Sequence, residues 1–439
     1  TIDPEDTDTP VRVETLTLAA PRVEDGAARF DRLSIEGTRI DDDTSSMSVA
    51  SYVIEQPGPE LSQLVADWFN FDFEDGEDPD PEALEGWSFA RVAMTGVDVE
   101  IDEPGEGEAS LVLERLEADG FDGGTLERAV MSGFVFDGVA PDTGAFSGRL
   151  DEVSVEGLGA AFVRMIAASG DEANAIPPMT FDPSNTHDRF AIAGLNVNVG
   201  GARLDMPLME GEVTERGGEI RQTASMETLT LDADPDAGPM GAQLADGLAR
   251  LGYESLAFSY AADSVYDRDA DRVRTEGENF FLIEDAMRVT LDQDLSGIEA
   301  YMDRYMEAVR DGALQEGELP PDVFAPLTIH AMTLTIEDLS LLERALEAAA
   351  EAQGSSPAQL RLQAGAIVAM GLAMAPAEIP RPFVTALGGA VNSFIQNGGS
   401  ITVAMDPSEP VSVGEIMESG SKLDTDRLGL TVTAEPPQE

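Results

Sequence analysis

The sequence predicts an α+β protein, rich in β-structure, built on a long twisted antiparallel sheet with amphipathic helices packed on one face. Three observations lead to this fold class. A short apolar phrase recurs along the chain, the intervals between its copies are irregular and mostly short, and segments with helical periodicity interrupt the series. Short intervals favour hairpin connections, because a parallel sheet needs crossovers of a dozen or more residues.

The phrase consists of an apolar residue, two variable residues, two apolar residues separated by one position, and a small residue two positions later. The clearest copies, each given by its four defining residues, are Phe30-Leu33-Ile35-Gly37, Phe89-Val92-Met94-Gly96, Leu113-Leu116-Ala118-Gly120, Leu126-Ala129-Met131-Gly133 and Leu150-Val153-Val155-Gly157. The weaker copies are Val13-Leu16-Leu18-Ala20, His187-Phe190-Ile192-Gly194, Met226-Leu229-Leu231-Ala233, Tyr253-Leu256-Phe258-Tyr260 and Ile329-Met332-Leu334-Ile336.

The spacing inside the phrase predicts a strand. Its two inner apolar residues alternate with a period of two, which is typical of a strand with one buried face. The three-residue step before them indicates a β-bulge or the start of a strand, and the final glycine allows a bend or a close backbone approach. We therefore expect successive copies to pair as antiparallel hairpins in a twisted sheet.

Segments with one apolar stripe at helical spacing predict helices that lie on this sheet or on a neighbouring helix. Ser340 with Glu343, and Ser356 with Gln359, have the spacing of capping boxes and mark two helix starts. The stripes are Leu61, Leu64, Val65, Trp68 and Phe69; Phe162, Val163 and Ile166; Leu244, Leu248 and Leu251; Ile298, Tyr301, Met302, Tyr305, Met306 and Val309; Leu342, Ala345, Leu346 and Ala349; and Phe383, Leu387, Val391 and Phe394.

These elements suggest three modules. Residues 1–180 form an N-terminal β-repeat module, residues 181–320 a middle β-repeat module with helices, and residues 321–439 a helix-rich C-terminal module with few strands. A polar, proline-containing stretch at 170–188 marks the first boundary. The second boundary is placed where copies of the phrase become rare.

Charge excludes several classes of function. The chain has 85 acidic and 26 basic residues, a formal net charge of -59, and a single lysine, Lys422. This charge repels nucleic acids, and the sequence has neither a P-loop lysine nor a polybasic membrane patch. The absence of cysteine removes disulfides, thiolate metal ligands and cysteine nucleophiles.

The location of the protein is predicted to be periplasmic or otherwise exported. The sequence given opens with Thr1, as a mature protein does after removal of a signal peptide, and a salty or cation-rich compartment relieves its self-repulsion. No segment reaches the ~20 apolar residues that a membrane-spanning helix needs. The most apolar stretch, 364–377, is interrupted by Pro376 and predicts a buried or interfacial helix.

The sequence contains no coherent set of catalytic residues. His187 and His330 are the two histidines, and each occupies an apolar position of a predicted strand. The metalloprotease, nucleophile-elbow, dinucleotide and P-loop motifs are absent. Eighty-five carboxylates offer countless acid pairs, so no pair is specific. The sequence therefore predicts a protein that is not an enzyme and has no cofactor.

Calcium is the one metal that the sequence suggests. Asp267, Asp269, Asp271 and Glu278 fall at positions 1, 3, 5 and 12 of a calcium-binding loop, but position 6 is Arg272 instead of the glycine that an EF-hand requires. A solvated hairpin turn is the plainer interpretation. A second acidic run, 232–238, lacks an acid at its last position.

Apolar residues of the C-terminal helices form the ligand-site hypothesis. Methionine-rich stripes adapt to varied ligands, although they also serve as ordinary core, which is the first interpretation here. A cavity for an apolar ligand is the second, and contact with a partner or membrane is the third. The candidate ligand-binding residues are Leu362, Ile367, Met370, Met374, Phe383, Leu387 and Phe394.

The strand phrases at 30–40, 89–101 and 150–159 resemble the strand repeats of AsmA-like and YdgA-like periplasmic proteins of Gram-negative bacteria. Segments 327–354 and 397–413 also look like the tails of exported proteins of that kind. The resemblance implies a role in envelope lipid handling, with a lipid or apolar small molecule as the partner and an envelope protein as a further candidate. The alternative is an acidic structural or surface-interaction protein that binds divalent cations. An unrecognised hydrolase ranks third.

Overall fold

The structure is a computed structural model that describes residues 11–24, 26–42, 44–70, 86–103, 107–140, 144–159, 187–310, 320–374, 380–419 and 424–437. The described residues fold mainly into strands and helices. The predicted α+β class is confirmed. The predicted helix at Phe162, Val163 and Ile166 lies outside the described residues, as does most of the stretch at 170–188.

The strands of the first half of the chain include four that are 15 or 16 residues long. They are β1 (Val11–Arg12), β2 (Thr15–Ala19), β3 (Arg22–Glu24), β4 (Ala27–Arg29), β5 (Arg32–Asp41), β6 (Ser45–Glu55), β7 (Ser88–Glu103), β8 (Gly107–Asp122), β9 (Thr125–Ala140), β10 (Gly144–Leu158) and β11 (Arg189–Val199). The later strands are β12 (Ala202–Arg216), β13 (Glu219–Ala233), β14 (Leu256–Asp267), β15 (Arg272–Thr275), β16 (Phe280–Ile283), β17 (Met287–Ser296), β18 (Thr328–Asp338), β19 (Gly399–Met405), β20 (Val411–Ser412) and β21 (Leu430–Glu435).

The described residues form seven helices, six of them where the sequence predicts a helix. They are α1 (Pro59–Asn70), α2 (Pro239–Arg250), α3 (Ile298–Arg310), α4 (Leu341–Gln353), α5 (Pro357–Ala373), α6 (Arg381–Asn397) and α7 (Val413–Ser419), with a short 3-10 helix at Pro321–Phe324. The apolar stripes predict α1, α2, α3, α4 and α6, the start signal at Ser356 predicts α5, and these six predictions are confirmed.

One of the two predicted capping boxes forms. Ser356 Oγ accepts a hydrogen bond from the Gln359 backbone N–H, and the Gln359 side chain accepts one from the Ser356 backbone N–H. The box at Ser340 is wrong, because its side chain makes no cap hydrogen bond. Its hydroxyl instead donates to the Asp285 carbonyl, while Asp338 Oδ1 accepts from the Leu342 N–H at the start of α4.

Nineteen strands of the described residues belong to one antiparallel sheet, and β3 and β4 form a separate hairpin. Every copy of the phrase contributes residues to a strand of this sheet. The predicted antiparallel pairing of successive strands is observed without exception from β5 to β12.

The chain divides into two compact units. Unit 1 comprises residues 1–176, 183–212 and 231–244, and unit 2 comprises 177–182, 213–230 and 245–439. The three modules expected from the sequence stay a prediction.

Unit 1 has its main described core where α1 covers the first strands. The buried residues Phe30, Leu33, Ile35 and Ile54 contact Leu61 of α1. These residues come from two strands and the segment before them, so the helix closes one end of the apolar surface of the sheet. Burial of several large side chains here stabilises the unit by about 1.5–3 kcal/mol for each side chain.

Unit 2 distributes its core among shorter strands and more helices. Ile220, Tyr266, Val273 and Ile298 form one buried cluster, in which Ile298 begins α3. Tyr305, farther along α3, is 2% exposed and lies with residues of the 3-10 helix. Helix α6 contacts β19 and β21, and α5 contacts α4 and α6.

Candidate functional site: the apolar face of unit 1

The phrases of unit 1 align across the sheet. Because successive strands keep one register, apolar residues from different copies stand directly opposite each other and form continuous rows. The first nine-strand row is Leu18, Leu33, Ile54, Val92, Ala118, Ala129, Val155, Phe190 and Gly211. The second is Leu16, Ile35, Tyr52, Met94, Leu116, Met131, Val153, Ile192 and Met209.

Two further rows lie toward the other end of the same strands. One crosses nine strands through Val11, Ile40, Met47, Val99, Leu111, Phe136, Gly148, Val197 and Leu204. The other crosses five strands through Val49, Val97, Leu113, Phe134 and Leu150. We call the surface formed by these four rows the apolar face. Side chains directly opposite in a sheet contact each other, so each row is a continuous band of apolar contact.

The phrase glycines share one backbone conformation. Gly37, Gly96, Gly120, Gly133 and Gly157 have φ between 61° and 67°, a backbone conformation that favours glycine, and Gly194 shares it. The predicted β-bulge is absent, because the strand register is the same on both sides of these glycines.

Acidic side chains of neighbouring strands lie against these glycines. A Cβ atom at Gly133 would collide with Glu114, and one at Gly120 would collide with Glu127. Gly37, Gly157 and Gly194 are crowded in the same way by Glu14, Asp188 and Asp151. Each of the five acids is the second residue of a copy of the phrase. Sequence reasoning missed this pairing, although the acid after the first apolar residue is visible in the clear copies at Leu113, Leu126 and Leu150.

The acid–glycine pairs shift the alternation of the strands. Leu113 and Leu116 are three residues apart and would point to opposite faces of a regular strand. Nevertheless, Leu113 is buried in a cluster against which Met94 and Met131, the partners of Leu116, also pack. The first and second apolar residues of the phrase therefore lie on the same face although they are three residues apart, which explains the three-residue step.

Coverage of the apolar face is uneven. Leu33 and Leu116 occupy the same position of the phrase, but Leu33 is 1% exposed beneath α1 whereas Leu116 is 42% exposed. Leu16, Leu18 and Met47 are also exposed by 37–46%. An exposed apolar surface of this extent is typical of a ligand or partner site.

A concave region of about 780 Å³ lies at one end of the strands, and both faces of the sheet contribute to its lining. Ile101, Ala109 and Phe146 come from the apolar face, whereas Ser110 and Asp137 alternate with the apolar-face residues of their strands and lie on the opposite face. Its remaining lining residues are Asp42, Thr44, Ser45, Ser46, Glu100, Asp102, Glu108, Gly138, Val139, Ala145, Ser147 and Asn198.

The carboxylates around this concavity are partly engaged with protein groups. Asp42 accepts hydrogen bonds from the backbone N–H groups of Thr44 and Ser45, at 2.8 and 2.6 Å, and these lower its pKa. Ser110 Oγ donates to Asp137 Oδ1 at 2.8 Å. The concavity has acidic and hydroxyl groups and no basic lining residue, so it disfavours an anionic ligand.

The opposite face of the same strands mixes apolar and charged residues and carries a buried ion pair. Glu117 is 6% exposed and accepts a hydrogen bond from Arg91 Nε at 2.9 Å, with Arg115 also in contact. Val112 and Val135 lie on this face and are exposed by 38% and 40%. The two faces of the sheet therefore differ in how continuous their apolar rows are.

The predicted C-terminal ligand residues separate into two groups. Leu362, Ile367, Met370 and Met374 are exposed on α5 and its C-terminal end. Phe383, Leu387 and Phe394 are half-buried on α6, which contacts β19 and β21. The set as a whole lies partly on a surface and partly at a packed interface, and its role in binding stays a prediction.

Three of the predicted calcium residues, Asp267, Asp269 and Asp271, lie around the turn between β14 and β15, whereas Glu278 lies in the connection between β15 and β16. Asp267 Oδ1 accepts from the Ala270 N–H, and Asp271 Oδ1 accepts from both Tyr266 OH and the Glu299 N–H. These bonds belong to the turn and to the start of α3. Among the described residues, no group of three or more acidic or histidine side chains is placed to hold a metal ion.

His330 lies in β18, as the sequence predicts, whereas His187 lies two residues before β11 begins. Burial is the main cause that lowers the pKa of His187, whose ring meets Phe190 edge-on at 5.3 Å. Burial also lowers the pKa of His330, and Ser296 Oγ lies 2.9 Å from its Nε2. Neither contact resembles a catalytic pair of nucleophile and base with a third orienting group.

Comparison with known proteins adds little to these observations. A family model whose description is "Uncharacterized protein" matches residues 281–435, a part of unit 2. No curated protein matches the chain, and neither does any solved structure. Within the described residues, no helix is both long and apolar enough to cross a membrane.

Proposed function

We propose that the protein binds a lipid or another uncharged apolar molecule on the apolar face of unit 1 and carries it in an exported, periplasmic setting. The observation that carries this proposal is the set of nine-strand apolar rows, members of which stay exposed beyond the region that α1 covers. An acyl chain is long, narrow and apolar, and it matches a continuous band of side chains better than it matches a compact pocket.

Charge supports an uncharged ligand. The concavity at one end of the strands is lined by carboxylates and hydroxyls, mostly from the opposite face, and the whole chain has a net charge of -59. An anionic fatty acid or phospholipid would meet repulsion from this charge. The favoured ligand is therefore a neutral amphiphile. The exported location and the role in envelope lipid handling rest on composition and on the resemblance of the strand phrase.

The test is retention of lipid by native mass spectrometry, using full-length protein purified without detergent, together with a thermal shift on addition of monooleoylglycerol. We expect bound lipid in the native spectrum and a raised Tm, because a ligand that binds the folded state stabilises it.

Two variants of strand β8 make the test specific. Leu116→Gln places a polar group on the apolar face, and Val112→Gln places the same group at similar exposure on the opposite face. Leu116→Gln should reduce retention severalfold, and Val112→Gln should leave it unchanged. A clean apo mass with no Tm shift, or equal effects of the two variants, contradicts the proposal. A calcium-induced rise in Tm without any response to lipid would favour the acidic interaction protein instead.

A further inference from the structure

Helix α5 exposes an apolar surface that unit 2 does not cover. Leu362, Ile367, Met370 and Met374 are exposed by 62–78%. We call these four residues the outer face of α5. Three of them, Ile367, Met370 and Met374, follow the i, i+3, i+7 spacing that aligns side chains along one side of a helix. Large apolar side chains that are exposed together mark an interaction surface.

The opposite side of α5 is packed against α6. Gly365 of α5 lies against Asn392 of α6, and Leu372 of α5 lies against Gly388 of α6. A Cβ atom added at either glycine would collide with that neighbour. The Gln396 side chain donates a hydrogen bond to the Arg361 carbonyl at 3.2 Å. These contacts fix the rotation of α5, so its outer face is held outward by the fold.

The outer face is uncharged in a chain that is otherwise strongly acidic. Helices α5 and α6 have no aspartate or glutamate, although the chain has 85. Their charged residues are Arg361 and Arg381. A surface that approaches phosphate-bearing lipid must avoid carboxylates, and this is the property that the two helices share.

We propose that the outer face of α5 inserts into the surface of a net-neutral lipid bilayer. A 17-residue helix is about 25 Å long and about 10 Å wide, so its face covers a few hundred Å². That is less than the ~800 Å² that each partner contributes to a standard protein interface. A bilayer does not need a matching surface, because each apolar side chain gains by leaving water on its own.

Charge also separates a bilayer from a second copy of the chain. Two copies at a net charge of -59 repel each other, whereas a zwitterionic bilayer has no net charge to repel the protein. Anionic lipid should therefore weaken attachment at low salt, and added salt should restore it, since screening shortens the repulsion. This charge dependence is opposite to that of the lysine-rich interfacial helices that bind anionic membranes.

The test is flotation of the full chain with phosphatidylcholine vesicles, compared with vesicles containing phosphatidylglycerol. The variant Ile367→Gln/Met370→Gln/Met374→Gln should lower partitioning into phosphatidylcholine at least about tenfold, since three side chains lose their apolar contact. Met240→Gln in α2 is the control, because Met240 is an exposed helical methionine outside the outer face. Circular dichroism and Tm verify that each variant is folded.

The outcomes decide the proposal. Loss of vesicle binding in the triple variant, with binding kept in Met240→Gln, supports it. Failure of the unmodified protein to float, or equal flotation of the triple variant, overturns it. Concentration-dependent dimers that the triple variant abolishes, without flotation, assign the outer face to a second copy and overturn it as well. The residues differ from those of the apolar face, so lipid retention measured with Leu116→Gln succeeds or fails independently.

Discussion

Unit 1 and unit 2 bury the same kind of strand in different ways. Strands β7 to β10 of unit 1 have 15 or 16 residues each and follow one another through connections of two or three residues. Strands β14 to β17 of unit 2 have between 4 and 12 residues, and α3 follows β17 directly. Tight connections leave no chain between strands to cover their apolar side, whereas a helix after a strand supplies that cover.

The comparison teaches that exposure of the apolar face follows from connectivity as much as from composition. The phrase supplies apolar residues at equal density to covered and uncovered strands. The helix α1 buries the phrase residue beneath it, since Leu33 is 1% exposed, whereas Leu116 at the same position of the phrase is 42% exposed. The exposed remainder is what makes unit 1 the candidate ligand surface.

Replacing Leu33 and Leu116 by alanine should reveal the contrast most strongly. Leu33→Ala leaves a cavity under α1 and should cost about 3 kcal/mol of unfolding free energy, whereas Leu116→Ala should cost less than about 1 kcal/mol. Urea unfolding followed by circular dichroism measures both. Equal losses for the two variants would mean that the region around Leu116 is as well covered as the region beneath α1.

Alanine substitutions at two glycines test the acid–glycine pairs, and their effects on stability should be of intermediate size. Gly133 and Gly123 have φ of 65° and 60°, but a Cβ at Gly133 meets Glu114 whereas one at Gly123 meets nothing within 4 Å. Gly123→Ala should cost about 1 kcal/mol from backbone strain, and Gly133→Ala about 2 kcal/mol. If the extra loss comes from crowding, Glu114→Ala combined with Gly133→Ala should recover part of it, because the substitution removes Cγ and Cδ of residue 114 but keeps its Cβ. No recovery would assign the loss to the backbone alone.

Protonation of the histidines should change the stability of the protein least. Each unit contains one of the two histidines, so the two effects can be measured separately. Burial lowers the pKa of both His187, in unit 1, and His330, in unit 2, below the ordinary 6.5. A lowered pKa means that folding favours the neutral ring, so this stability is fully present above pH 6.5 and is lost as pH falls through the folded pKa.

Thermal unfolding between pH 7 and pH 5 provides the measurement. His187→Asn should flatten the pH dependence of unit 1, and His330→Asn that of unit 2. The double variant should remove the histidine contribution from both, because the chain has two histidines. An unchanged slope in the double variant would mean that the two histidines do not cause the pH dependence in this range.

Most of the secondary structure could be predicted from the sequence. Period-two alternation and one-sided helical stripes identify strands and helices because each element must bury a single side. Ser356 capped its helix as predicted, since a capping box needs only four consecutive residues. Ser340 did not, because Asp285 and Asp338, which are distant from it in sequence or outside the box, compete for the same groups.

The candidate site was less accessible to prediction. Apolar content drew attention to the C-terminal helices, but the exposed fraction of Leu362 or Phe394 depends on neighbours that no local pattern reveals. Asp267 and Asp271 have the spacing of a calcium-binding loop. In the structure, however, their carboxylates accept hydrogen bonds from backbone N–H groups.

The sequence by itself determined the fold class and the strand phrase, because periodicity is a local property of residues. Only the tertiary structure decided which apolar residues stay exposed, that acids lie against the phrase glycines of a neighbouring strand, and that one side of α5 faces outward. These depend on register and helix placement, and both are fixed by contacts between residues far apart in the chain.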